Sequence, residues 1–171
     1  DGMADEPIEK LGNKTCLQAA NKPHIDQLAT MGRSGLLDTI PEGFAPGSEI
    51  ANLSVMGYDV AAVFEGRGSL EAASIGVDIA PNEIAMRCNL ICIENGKIKN
   101  HSAGHISNEE AEELMIFLQE KLGNEIVSFY PGVSYRHLLK IKNGNKALKC
   151  TPPHDVPGTA FEDVLVKPDN N

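Results

Sequence analysis

Apolar and polar residues alternate most clearly between Ile84 and Ile93. Ile84, Met86, Cys88, Leu90 and Cys92 are apolar, while Arg87 and Asn89 fall between them. A repeat of two predicts a strand, with Arg87 and Asn89 on the face opposite the buried one. Asn95-Gly96 then predicts a hairpin turn. Ser107-x-x-Glu110 is a capping box, and Ala111, Leu114, Met115, Leu118 and Leu122 follow at helical spacing up to Gly123. Strands are expected over 126–130, 135–141 and 147–150, with a turn at Asn143-Gly144. In the second of these Tyr135, His137, Leu139 and Ile141 share a face and Arg136 lies on the other. The order β-β-α-β-β-β predicts an α+β layer, a sheet with a helix on one face.

The first half is dense in Gly, Pro, Ala and Ser. Residues 1–12 read as loop and 23–31 as a helix with Ile25, Leu28 and Ala29 on one face and Gly32 at its end. A strand is expected over 36–40, a Pro/Gly loop over 41–47, and a helix over 48–56 with Ile50, Leu53 and Met56 buried. Short helices are expected over 60–64 and 70–75, flanking Gly66-Arg67-Gly68. The change of texture places a boundary near Asp78–Glu83, giving segments 1–80 and 81–171.

Length and charge narrow the classes. At 171 residues the chain holds one domain, or one and a piece. Its net charge is -9, which argues against nucleic-acid or anionic-membrane partners, since both need a basic face. The charge is uneven: residues 1–83 carry 13 acids and 5 bases, residues 84–171 carry 11 and 10. No apolar run reaches membrane-spanning length and no signal segment is present, and the scattered Cys16, Cys88, Cys92 and Cys150 read as reduced thiols. A cytoplasmic protein is expected.

Candidate chemistry lies in a few places. Ser48 follows a Gly turn and opens a helix, where backbone N–H groups and the helix dipole favour an anion. It reads either as an exposed nucleophile or as an ordinary helix cap. Asp1-Gly2-Met3-Ala4-Asp5 reads as a hard-metal loop or as a solvated acidic loop. Arg33, Arg67, Arg87 and Arg136 are the four arginines, suited to bidentate phosphate or carboxylate binding or to structural ion pairs. Cys88, Cys92, His101 and His105 imitate a zinc finger, but two cysteines four apart on one strand stand about 13 Å apart, too far to share a zinc ion.

Several segments resemble a known family: DGMAD at 1–5, KPHIDQLATMGRSGL at 22–36, PEGFAPGSEIANLSVMGYD at 41–59, GRGSLEAASIGV at 66–77, RCNLI at 87–91, SAGHIS at 102–107, FYPGVSYRHL at 129–138 and CTPPHDVPG at 150–158. Together they look like the archaeal-type cofactor-independent phosphoglycerate mutases of the alkaline phosphatase superfamily. The resemblance implies an α/β fold, with 1–80 a partial metalloenzyme core segment and 81–171 an inserted substrate-binding α+β domain. It implies interconversion of 3-phosphoglycerate and 2-phosphoglycerate through a phosphoserine, with two divalent metals, Mn or Mg. Ser48 would be nucleophile and metal ligand, and Asp1 a metal ligand. Asn52, Arg67, Arg87, His105, Arg136 and His154 are the substrate-binding candidates. His105 could instead only shape its loop, and His154-Asp155 could be a structural pair. The core strand expected before Asp1 and the family's later Asp and His ligands are missing from the sequence. An inactive fragment without stably bound metal is therefore expected. Two alternatives stand beside this reading: a homoserine kinase-like phosphotransferase of the same family, and a non-catalytic substrate-binding or dimerisation module. Homo-oligomerisation is left open.

Overall fold

The structure, a computed structural model, describes residues 4–169. Asp1 lies outside the described residues. The chain divides into two compact units, Asp1–Phe64 and Glu65–Asn171, each taken here by itself. The expected boundary near Asp78–Glu83 falls about fifteen residues later. The reason for the difference is the helix that follows Gly66, which packs on the strands of the second unit.

In the first unit a 3-10 turn at Glu9–Leu11 is closed by a bridge between Ile8 and Lys14. Helix α1 (Cys16–Ala19) was not expected. It is set by a capping box in which the Thr15 hydroxyl and the Gln18 side chain satisfy each other's backbone N–H. Helix α2 (Pro23–Met31) has the expected limits, with Pro23 in its first turn and Gly32 at its end. Its expected apolar face is open: Ile25 and Leu28 are exposed.

The expected strand over 36–40 does not form. Leu36 is fully exposed, and Asp38 Oδ1 accepts from the Ile40 N–H, a local turn that competes with strand pairing. Helix α3 (Ser48–Val55) and helix α4 (Val60–Val63) pack together. Ile50 and Val60 are buried, and Phe44 meets Phe64 edge to face at 6.4 Å. Met56, expected to be buried, caps the end of α3 and is exposed.

The second unit opens with α5 (Arg67–Ser74), three residues earlier than expected. Gly66 is its N-cap at φ 117, a conformation L side chains rarely adopt. Strand β1 (Glu83–Asn89) is followed by a β2 (Cys92–Glu94) and β3 (Lys97–Asn100) hairpin. Asn95 and Gly96 both have positive φ, as the Asn-Gly turn predicts. The single strand expected over 84–93 is thus two strands in two sheets. After Asn89 the chain leaves the main sheet, and Cys92–Glu94 pairs with Lys97–Asn100 instead. Helix α6 (Asn108–Leu122) carries the expected capping box. Its Ala111 and Met115 are buried, but Leu114 and Leu122, placed on the same face from the sequence, are exposed.

Strands β4 (Val127–Val133) and β5 (Arg136–Lys142) complete an antiparallel sheet in the order β1-β5-β4. A small pair, β6 (Leu148–Lys149) and β7 (Lys167–Pro168), closes the chain. Register puts Arg87, Asn89, Arg136 and Leu138 on one face and Met86, Cys88, His137 and Leu139 on the other. His137 and Leu138 are neighbours on the central strand, point to opposite faces, and are both fully buried. Both faces are therefore covered, where one helix-covered face was expected. Helix α5 covers the arginine face, and α6 packs along β4. No helix among the described residues is long and apolar enough to cross a membrane.

Candidate functional site

Ser48 is the first residue of α3, one position inside the helix rather than at the cap, and it is exposed. The cap is Gly47, extended at φ -163, a residue with no side chain of its own to cap the helix. A Cβ on Gly47 would stand 2.7 Å from a Glu49 carboxylate oxygen, so the carboxylate sits at the helix start, where the dipole favours negative charge. Asn52 is exposed one turn after Ser48, on the same side of the helix.

In the second unit the arginine face is the most built feature. Arg87 and Asn89 are two apart on β1, so their side chains share a face, and Arg136 stands directly across from Asn89 on β5. Arg87 Nε donates to Asn89 Oδ1 at 3.1 Å and lies 4.0 Å from the Glu71 carboxylate on α5. Both side chains of that ion pair are largely covered, at 19% and 14% exposure. Arg67, between Gly66 and Gly68, is the first residue of α5, where the helix was expected to begin only at Leu70. The packing of α5 is close: a Cβ on Gly68 would overlap the Ala85 carbonyl of β1.

His105 belongs to a tight loop in which Ala103, Gly104 and His105 all have positive φ. Asn100 Oδ1 holds this loop, accepting from Ser102 N–H, the Ser102 hydroxyl and Gly104 N–H. His105 is exposed beside a shallow open depression that Glu110, Glu113 and Leu114 also line. His154 contacts Asp155 at 3.4 Å and is 6.2 Å from His101, which in turn meets Tyr135 at 6.0 Å. That ring cluster ends one residue from Arg136.

Of the candidates in this unit, the fold brings Arg87 and Arg136 onto one face. Sequence reasoning placed Asn89 on the Arg87 face without naming it as a binding candidate, and it missed Glu71. Period two already puts Asn89 beside Arg87; the Glu71 contact depends on how α5 packs and leaves no signal in the sequence.

Two buried groups lie on the opposite face. His137 accepts from Gly132 N–H through Nδ1 at 3.0 Å, its Nε2 is buried with no partner among the described residues, and burial lowers its pKa. Cys88, across from it, has its thiol pKa raised by burial. Cys88 and Cys92 stand on separate strands, so the spacing along one strand used above against zinc does not apply. Among the described residues no three His, Cys, Asp or Glu side chains gather as a metal set.

An exposed serine at a glycine-capped helix start and a covered sheet face bearing arginines stand in an α/β protein. The particular family is given by comparison. A profile of the 2,3-bisphosphoglycerate-independent phosphoglycerate mutase family matches residues 29–171, and the chain belongs to that family. It is 56% identical over 166 residues to the mutase of that name from Methanosarcina acetivorans, covering 96% of this chain and 42% of the relative. It is 47% identical over 171 residues to a probable mutase of the same name from Geobacter sulfurreducens, covering 98% of this chain and 43% of the relative. Among solved structures, the cofactor-independent phosphoglycerate mutase of Thermoplasma acidophilum is similar with a TM-score of 0.51 at 28% identity, covering 99% of this chain and 44% of that one. A Pyrococcus horikoshii protein reaches a TM-score of 0.66 at 30% identity, covering 82% and 35%. The chain thus spans about two-fifths of the length of the curated relatives it matches.

Proposed function

We propose that the protein built on this chain is a phosphoglycerate mutase, interconverting 3-phosphoglycerate and 2-phosphoglycerate through a phosphoserine at Ser48. The observation that carries the reading is the exposed Ser48 at the first position of α3, behind a glycine cap, in a member of this family. In the reaction Ser48 Oγ attacks the phosphorus of the 3-phosphate and loses its proton. The ester oxygen leaves as the 3-hydroxyl after taking up a proton. The 2-hydroxyl then takes the phosphoryl group from Ser48, which regains its hydrogen. Arg87 and Arg136 hold the anionic groups, with Asn52, Arg67, His105 and His154 as further substrate contacts. A cytoplasmic setting goes with this reading.

Two divalent metals, Mn or Mg, would lower the serine pKa and neutralise phosphoryl charge when bound. Ser48 fits as one ligand, being exposed at the first position of α3. Asp1 is the other ligand proposed from this chain. The described residues supply no further carboxylate or histidine cluster, so the isolated chain is expected to lack mutase activity.

The test is Ser48→Ala in the protein carrying this chain at the length of its relatives. Loss of at least about a thousandfold in turnover is expected, together with loss of a phosphoserine peptide on exposure to 3-phosphoglycerate. Retained turnover would overturn the assignment, and phosphorylation of homoserine from ATP in place of mutase turnover would replace it.

A further inference from the structure

The arginine face contains a residue whose hydrogen bonding is settled by elimination. A guanidinium can only donate. Since Arg87 Nε lies 3.1 Å from the Asn89 side chain, the amide must turn its oxygen to Arg87 and its nitrogen away. That nitrogen carries two donors, and it meets no acceptor among the described residues. Arg136, directly across the strand pair from Asn89, cannot accept either, and it forms no ion pair among the described residues. Three neighbouring side chains thus offer donors in excess. One carboxylate, Glu71, stands close, and it reaches only Arg87, at 4.0 Å. Partly covered donors in excess call for an acceptor, and charge makes an anion the favoured one.

We infer that Asn89 is an anion-binding residue, donating from its side-chain nitrogen to the same phosphate or carboxylate group that Arg87 and Arg136 bind. This rests on the reading of the arginine face as a substrate site. Arg87 does double duty: it binds the anion and, through its Nε, fixes the amide in the donating orientation. Asn89 gives geometry that two flexible guanidiniums alone would not, because it sits beside Arg87 on β1 and directly across from Arg136 on β5.

The test titrates the protein with 3-phosphoglycerate, inorganic phosphate and glycerate, the last two separating phosphate from carboxylate recognition. Calorimetry measures affinity, and nitrogen-proton spectra follow the Asn89 side-chain amide. The amide signals are expected to move on saturation. Asn89→Asp is nearly the same size but replaces donors with a negative charge between two arginines. It is expected to weaken binding at least about tenfold while its melting temperature holds or rises. Asn89→Ala, which removes donor and anchor together, is expected to weaken binding comparably, and serves if the aspartate variant folds poorly. Amide signals that do not move, or variant affinities within about threefold of the parent, would overturn the role of Asn89 and leave the arginine site standing. Binding of none of the three ligands by the parent would overturn the arginine site and this inference with it.

Discussion

Gly68→Ala tests how the arginine face is built. Gly68 lies in the first turn of α5, where the helix meets β1, and an added Cβ would overlap the Ala85 carbonyl and lie 2.8 Å from the Met86 nitrogen. Ordinary contact begins at 3.4 Å, so α5 must retreat by at least the 0.6 Å between those figures, and further to clear the carbonyl. The atoms in the way are backbone, so no rotamer change relieves the clash. Two effects oppose each other. Alanine gains about 0.5–1 kcal/mol over glycine within a helix, while overpacking against a fixed surface costs about 1–3 kcal/mol. The clash wins, because it engages the backbone of a strand hydrogen-bonded within the sheet. A net loss of about 1–2 kcal/mol corresponds to a fall of roughly 5–10 °C in the melting temperature of a unit this size. Thermal unfolding followed by circular dichroism measures it, with Gly35→Ala as control, since a Cβ there meets nothing within 4 Å. The retreat of α5 should also lengthen the 4.0 Å Glu71–Arg87 contact and shift the Arg87 Nε resonance. A Gly68→Ala protein as stable as the Gly35→Ala control, with an unmoved Arg87 signal, would refute the packing argument.

Two further outcomes follow from single residues. Ser107→Ala removes the hydroxyl that accepts from Glu110 N–H at 3.2 Å and should cost about 1 kcal/mol, seen as faster amide exchange in the first turn of α6; unchanged exchange there would count against the cap. His137 is buried and its pKa is lowered by burial, so its contribution to stability should be complete above the ordinary value of about 6.5 and decline as pH falls from there toward the folded-state value, because only the unfolded chain takes up the proton. Its ring-proton resonance in the folded protein should not titrate near 6.5, and a midpoint at or above 6.5 would contradict the burial.

Much of the second unit was legible in the sequence because its signals are local or strictly periodic. The alternation from Ile84 to Asn89, the Asn95-Gly96 turn and the Ser107–Glu110 box each name their own structure. What was not legible depends on partners distant in sequence. The break after Asn89 occurs because Cys92–Glu94 finds Lys97–Asn100 as a closer partner than the main sheet. Residues 36–40 had strand composition, but a strand needs a neighbour, and Asp38 offered a local hydrogen bond instead. At the site, Ser48 and the arginines were visible as residue types, while the pairing of Arg87 with Glu71 waited on the docking of α5.

The two units hold their candidate residues in different ways. Ser48 is carried by α3, whose one fully buried side chain among its residues is Ile50. Elsewhere among the described residues of the first unit, Val60 is the other buried hydrophobic, while Leu28, Met31, Leu37 and Met56 are at least 66% exposed. The amphipathic pattern of α2 is real, so its open face shows apolar surface formed without a cover among the described residues. A serine that must meet a phosphorus atom to within a fraction of an ångström needs a stiffer support than two buried anchors. Arg87 is held from several sides instead: Asn89 takes its Nε, Glu71 stands behind it, and the contact at Gly68 presses their helix onto the sheet. The proposed anion contact at Arg87 is thus fixed by residues of its own unit, whereas the support of Ser48 among the described residues of the first unit rests on Ile50 and Val60.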